Sequence, residues 1–235
     1  MFFRKIIFFL FLLILISSCS NPNKDFFVNE TSQVIENIFT VKGKIVNFYI
    51  VKDDKNLVCF DTGDNIDEIK KELVKININP LDVNYIFFTH SDYDHAGCLE
   101  LFPNAKIYLS KDEEQMITGK KARMLFFFNK SIKNYTLLND NETITIGNLK
   151  ITGISMPGHT PGSMAYVLND NILFTGDALL LKDNKVTNFP KFYTIDMETH
   201  KNSIKKIAGF ENIKYLFTAH SGFTDNFNEA IKDWK

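Results

Sequence analysis

Long apolar runs are scarce in this chain of 235 residues. The longest, Ile6 to Ile16, is eleven residues, short of the roughly twenty that a membrane-crossing helix needs. A surplus of one charge is missing as well. The 27 Lys and Arg against 28 Asp and Glu leave a net −1, and no basic stripe marks a nucleic-acid partner. Cysteine is sparse: beyond Cys19 there are only Cys59 and Cys98, which leave room for one bridge at most. Both sit beside apolar neighbours and read as small buried residues, although an extracytoplasmic address would permit a disulfide. With 45% hydrophobic and 23% charged residues, the body reads as one globular domain with a sizeable core.

The amino terminus is a separate matter. A short basic start, the eleven apolar residues and then Ile-Ser-Ser-Cys at 16–19 have the proportions of a secretory signal. Its end resembles the bacterial lipoprotein signal. That resemblance implies cleavage before a lipid-modified Cys19, an extracytoplasmic location and a membrane as partner through that lipid; an uncleaved anchor is the alternative. The expected plan is therefore a signal peptide over 1–18, a polar, turn-rich tether over 19–36 and a folded domain over 37–235. Loss of Arg4 and Lys5 would bring the net charge to −3.

Within the domain, β-branched and aromatic residues predict strands over 37–42, 44–52 and 56–60. The apolar spacing of Ile66, Ile69, Leu73 and Ile76 predicts a helix over 65–76. Another helix is expected from Lys111, because Ser110-Lys-Asp-Glu has the form of a capping box. Strands are expected at 83–89, 106–109, 134–138, 142–146, 149–155, 163–168, 171–176 and 214–217, a loop or hairpin over 178–195, and helices over 197–209 and 225–234. Strands first and mixed elements after them suit two sheets packed face to face with helices outside.

The chemistry concentrates at residues 85–99, where an apolar run empties into His90, Asp92, Asp94 and His95. Imidazole and carboxylate donors at i, i+2, i+4 and i+5 lie on one turning loop and suit zinc, iron or manganese. A helix-capping surface turn is the plainer alternative. Further on, His159 in Met-Pro-Gly-His-Thr-Pro-Gly, Asp177 in Leu-Phe-Thr-Gly-Asp and His220 in Phe-Thr-Ala-His-Ser-Gly each follow a strand-like run. The frame Tyr-x-Phe-x-x-His-Ser occurs twice, at 85–91 and 215–221, as if two equivalent strands presented a histidine at one rim. His200 lies outside such a setting and reads as a solvent-facing helix residue.

In order and spacing these elements resemble the metallo-β-lactamase superfamily, whose signature runs His-x-His-x-Asp-His, Gly-His, Gly-Asp and a last His. The likeness implies a four-layered αββα sandwich and two divalent metal ions, zinc first, with manganese or iron as alternatives. It places His90, Asp92 and His159 at one metal and Asp94, His95 and His220 at the other, with Asp177 between them. It also implies hydrolysis of a small-molecule ester, lactone, thioester or amide by a hydroxide made at the metals, which Asp94 orients as the catalytic carboxylate. Asp61 and Thr62 would support the ligand loops from behind.

One position departs from the pattern: Asp92 stands where the family has its second histidine. An added carboxylate weakens the pull on bound water and favours harder ions. Phe126–Phe128, Phe189, Phe192 and Tyr193 read either as pocket walls or as core. Two other functions suit the same residues, a mononuclear iron oxygenase on the same fold and a non-catalytic, lipid-anchored binding module.

Overall fold

The computed structural model describes residues 25–235; the expected signal peptide and Cys19 lie outside them. Two mixed sheets form the centre. The first contains β1 (Ser32–Ile35), β2 (Ile38–Lys42), β3 (Asn47–Lys52), β4 (Leu57–Phe60), β5 (Tyr85–Phe87), β6 (Lys106–Ser110) and β7 (Tyr135–Leu138), in that spatial order. Pairing is antiparallel from β1 to β4 and parallel from β4 to β7. The second sheet draws on β8 (Thr143–Ile146), β9 (Leu149–Ser155), β10 (Met164–Leu168), β11 (Ile172–Phe174), β14 (Tyr215–Phe217) and β15 (Phe223–Thr224), ordered β15-β14-β11-β10-β9-β8. Between β11 and β14, β12 (Leu180–Lys182) and β13 (Lys185–Thr187) make the expected hairpin.

Two-residue alternation explains the layers. In β3, Phe48 and Ile50 face α1 (Ile66–Lys75), while Tyr49 and Val51 face the second sheet. In β10, Tyr166 and Leu168 look toward the first sheet, and Ala165 and Val167 toward α4 (Met197–Ala208) and α5 (Phe227–Ala230). Between the sheets the Phe60 and Phe174 rings stack at 4.1 Å, and Phe87 on Tyr108 at 4.6 Å. The result is the αββα sandwich.

Differences from the expected elements are local. The segment read as a tether enters the first sheet as β1. The single helix expected from Lys111 is a tight 3-10 turn followed by α3 (Glu114–Ile117), because Glu113 turns inward instead of reciprocating the Ser110 cap. The terminal helix splits into α5 and a last turn. No described helix is long and apolar enough to cross a membrane.

Candidate metal centre

Four strands deliver the site. β9, β11 and β14 run in the same direction within the second sheet, so the loops after them, carrying His159, Asp177 and His220, emerge at one rim. The loop after β5 meets them from the first sheet with His90, Asp92 and α2 (Tyr93–Ala96), which holds Asp94 and His95. Both Tyr-x-Phe-x-x-His-Ser frames therefore serve one rim, one from each sheet.

Asp177 is the centre of the arrangement. Its Oδ1 lies 3.2 Å from His95 Nε2 and 3.2 Å from His220 Nε2, while its Oδ2 lies 3.4 Å from His159 Nε2 and 4.0 Å from His90 Nε2. Asp94 Oδ2 joins the first group, 3.3 Å from His220. Two clusters result, Asp94-His95-Asp177-His220 and His90-His159-Asp177, and in each the donor atoms all fall within 4.8 Å of one another. His95 Nε2, His220 Nε2 and Asp177 Oδ1 are buried without any hydrogen-bond partner. Buried polar atoms are rarely left so, and a divalent ion satisfies all three at once; the donor set fits it.

Electrostatics point the same way. Burial pushes the His95 imidazole down, but Asp177, Asp61 and Asp94 hold it well above its ordinary value. Burial likewise lowers His220, and Asp177 and Asp94 lift it to about 10. Desolvation works to raise the Asp177 carboxyl, yet His220, His95 and His159 keep it well below the usual range. Positive charge is thus demanded where the carboxylates converge. His159 goes the other way, lowered by burial to about 4, and so presents a neutral ring, the form that ligates a metal.

Behind the clustered side chains, Asp61 Oδ2 lies 2.8 Å from His95 Nδ1, and Thr62 Oγ1 donates to the His95 carbonyl. Asp61 also accepts from the Thr89 N–H and hydroxyl, and it sits at φ +67°, a conformation that costs a non-glycine residue about 1 kcal/mol or more and persists where surroundings impose it. His220 Nδ1 donates to the Ile45 carbonyl at 2.7 Å. These contacts fix which ring nitrogen faces the centre. Gly176, at φ +51°, leaves room for Thr89: a Cβ there would lie 2.3 Å from its Oγ1.

Asp92 is placed differently from the rest. It lies 3.2 Å from His159 Nε2 and 3.5 Å from His90 Nε2, but both its oxygens also accept from Arg123 Nε, and His90-His159-Asp177 closes as a group without it.

Several supporting residues escaped the sequence reading. Arg123 is one of two arginines in the chain, and its rarity among so many lysines was the available signal. Glu113, read as the capping-box residue, is fully buried and accepts from the Ser91 N–H and hydroxyl, the Thr160 hydroxyl and the Gly162 N–H. It ties the first ligand loop to the His159 loop, and burial raises its carboxyl pKa. Phe26, in the segment read as a tether, stacks on His220 at 4.5 Å while the Phe27 N–H donates to the His220 carbonyl. His200 is buried, not solvent-facing: its Nε2 accepts from the Phe189 N–H. The helix turns it inward because Gly158 lets the His159 loop lie directly on it, where a Cβ would come within 2.4 Å of the His200 backbone.

The centre opens into a cleft of about 240 Å³, walled by Phe26, Ile45, Tyr93, Phe189 and Tyr193. Phe189 is thus both core and wall, whereas Phe126–Phe128 are neither: they stand exposed. Cys59 and Cys98 are buried free thiols.

Similarity to known proteins agrees with this geometry. The family model described as the metallo-beta-lactamase superfamily matches residues 41–220. A probable metallo-hydrolase of Methanocaldococcus jannaschii is 30% identical over 166 residues, 71% of this chain and 70% of that protein. BaeB of Bacillus velezensis, a probable polyketide biosynthesis zinc-dependent hydrolase, is 32% identical over 136 residues, 56% of this chain and 54% of its own length. Among solved structures, the subclass B3 metallo-beta-lactamase BJP-1 of Bradyrhizobium japonicum superposes with a TM-score of 0.67 at 20% identity, over 84% of this chain and 80% of that one; that likeness concerns the fold. With the family's ligand loops found at one rim of its sandwich, the chain belongs to the metallo-beta-lactamase superfamily.

Proposed function

We propose that this protein is a dinuclear metal-dependent hydrolase of carboxylic esters, lactones, thioesters or amides, held at a membrane through a lipid on Cys19. The observation that carries the reading is Asp177, whose two oxygens address two separate histidine clusters. His90 and His159 would hold one ion, with Asp92 beside them, and His95, His220 and Asp94 the other. When bound, such a pair supplies an activated water and polarises the substrate oxygen. Asp94, at the open edge of its cluster with Oδ2 3.3 Å from His220, orients the attacking water and takes its proton. Phe26, Phe189 and Tyr193 exclude bulk water and seat the acyl part of the substrate. The naming of BaeB as a zinc-dependent hydrolase favours zinc here.

Elemental analysis of the purified chain, paired with an ester, lactone and thioester screen, tests the proposal. Close to two ions per chain are expected, with turnover abolished by Asp94→Ala. One iron per chain with oxygen consumption, or full turnover in Asp94→Ala, would remove it. For the anchor, detergent partitioning of the intact chain should be lost in Cys19→Ala.

A further inference from the structure

Among the described residues, ten of the twelve exposed large apolar side chains line the cleft or stand within a few positions of residues that do, the exceptions being Val74 and Leu81. Ile45 and Tyr93 line the cleft, Phe27 and Phe192 adjoin the lining residues Phe26 and Tyr193, and the Ile195 N–H donates to the His159 carbonyl. The other five are consecutive, Met124 to Phe128, with Leu125 80% and Phe126 89% exposed. They form a tight reversal closed by hydrogen bonds between Met124 and Phe127. It is rooted at the cleft by Arg123, which holds Asp92 and the Tyr193 carbonyl.

Two details separate this tip from an incidental patch. Leu125 sits at φ +47°, where Gly or Asn would be favoured, so a large apolar side chain is kept at a strained, solvent-facing position. The flanks are cationic: Lys120, Lys121, Lys130 and Lys133 are exposed, and no Asp or Glu occurs from 115 to 139. Glu100, 3.9 Å from Lys130, and Asp196, near enough to feel the charge of Lys121, are acids that approach them. In a chain with net charge −1, an apolar tip collared by lysines is the pattern that partitions into an anionic lipid interface.

We infer that the Met124–Phe128 tip docks into the headgroup region of an anionic phospholipid bilayer, turning the cleft toward the membrane so that its substrate is an amphiphile with the scissile carbonyl near headgroup level. The inference deepens the anchored-hydrolase reading and rests on it for the substrate. Its geometry agrees with that anchor: Phe26 stands in the cleft wall only seven residues beyond Cys19, a span of at most ~25 Å.

The test places Phe126→Trp in a Trp234→Phe background, Trp234 being the one native tryptophan, in the full chain. On vesicles of phosphatidylcholine and phosphatidylglycerol, emission from the introduced indole should shift to the blue and be quenched by acyl-brominated lipid. Replacing lysines 120, 121, 130 and 133 by Gln should lower the quenched fraction, each lysine being worth about fivefold in partitioning. A nitroxide on Phe127→Cys reports the same depth without altering Trp234. Water-like, unquenched emission from vesicle-bound protein overturns the inference, and so does a blue shift that appears without vesicles and grows with protein concentration, which would assign the tip to a second copy. Phe126→Asp with Phe127→Asp should lower the rate on a vesicle-embedded ester relative to a soluble ester at least tenfold; an unchanged ratio overturns the substrate assignment. If the wild-type chain cleaves neither ester, the hydrolase reading fails, while the fluorescence still decides the docking.

Discussion

Arg123 Nε donates to both oxygens of Asp92, at 2.6 and 2.8 Å, and its Nη2 lies 3.2 Å from His159 Nε2. This contact revises the charge count at the departing position. Asp92 alone would add a negative charge where relatives carry a neutral histidine; Asp92 with Arg123 adds none. Asp92→His should therefore leave a largely buried guanidinium unpaired beside the site, at a cost of several kcal/mol, and weaken zinc binding at least tenfold by competition titration. Adding Arg123→Gln to it should restore most of the affinity.

Asp177→Asn should empty both metal positions together, since each cluster relies on one of its oxygens. Metal content by mass spectrometry of the native chain checks this; loss of one ion alone would contradict a shared carboxylate.

Glu113→Gln puts an amide NH₂ where four donors already converge. A loss of about 1 to 3 kcal/mol in denaturant unfolding is expected. Faster hydrogen exchange at Ser91 and Gly162 should accompany it, because the tie between the two loops is cut.

Asp140 accepts from the Ser155 N–H and from Lys206 on α4. Burial works to raise its carboxyl, but these donors hold it below the ordinary value. Its stabilisation is therefore present above the unfolded carboxyl pKa and is lost as the pH falls through the lowered folded value. Asp140→Asn should cost ~0.5 kcal/mol at neutral pH, this partly exposed pair being screened by water, with the gap from wild type closing in thermal melts as the pH falls below the ordinary carboxylate range.

Phe26→Ala removes the ring on His220 and part of the cleft wall. KM should rise severalfold with kcat within about a factor of three, as expected when uniform binding is lost.

Much of this molecule was legible along the chain. β9 begins and ends where the pattern predicted, α1 falls within the expected 65–76 with Asn65 as its cap, and Asn169-Asp170, between the strands expected at 163–168 and 171–176, makes a tight turn with both residues at positive φ. Such features are local: a period of two, a cap and a turn each need only a few neighbouring residues. Glu113 and His200 were misjudged because a residue's own element gives a cap or an exposed face equal claim, until another loop packs on it.

From the residues alone came the donors, their order and the strand ends that hold them, since ligand chemistry and strand periodicity are written in short segments. Beyond Asp61 and Thr62, the folded chain alone decided what stands behind and around the donors. The Ile45 carbonyl on His220 spans 175 positions, and no local pattern carries a contact made only when two sheets close on each other. The same holds for the exposed tip at 124–128: its composition is plain in the sequence, but its place at the mouth of the cleft depends on how Arg123 folds back across Asp92.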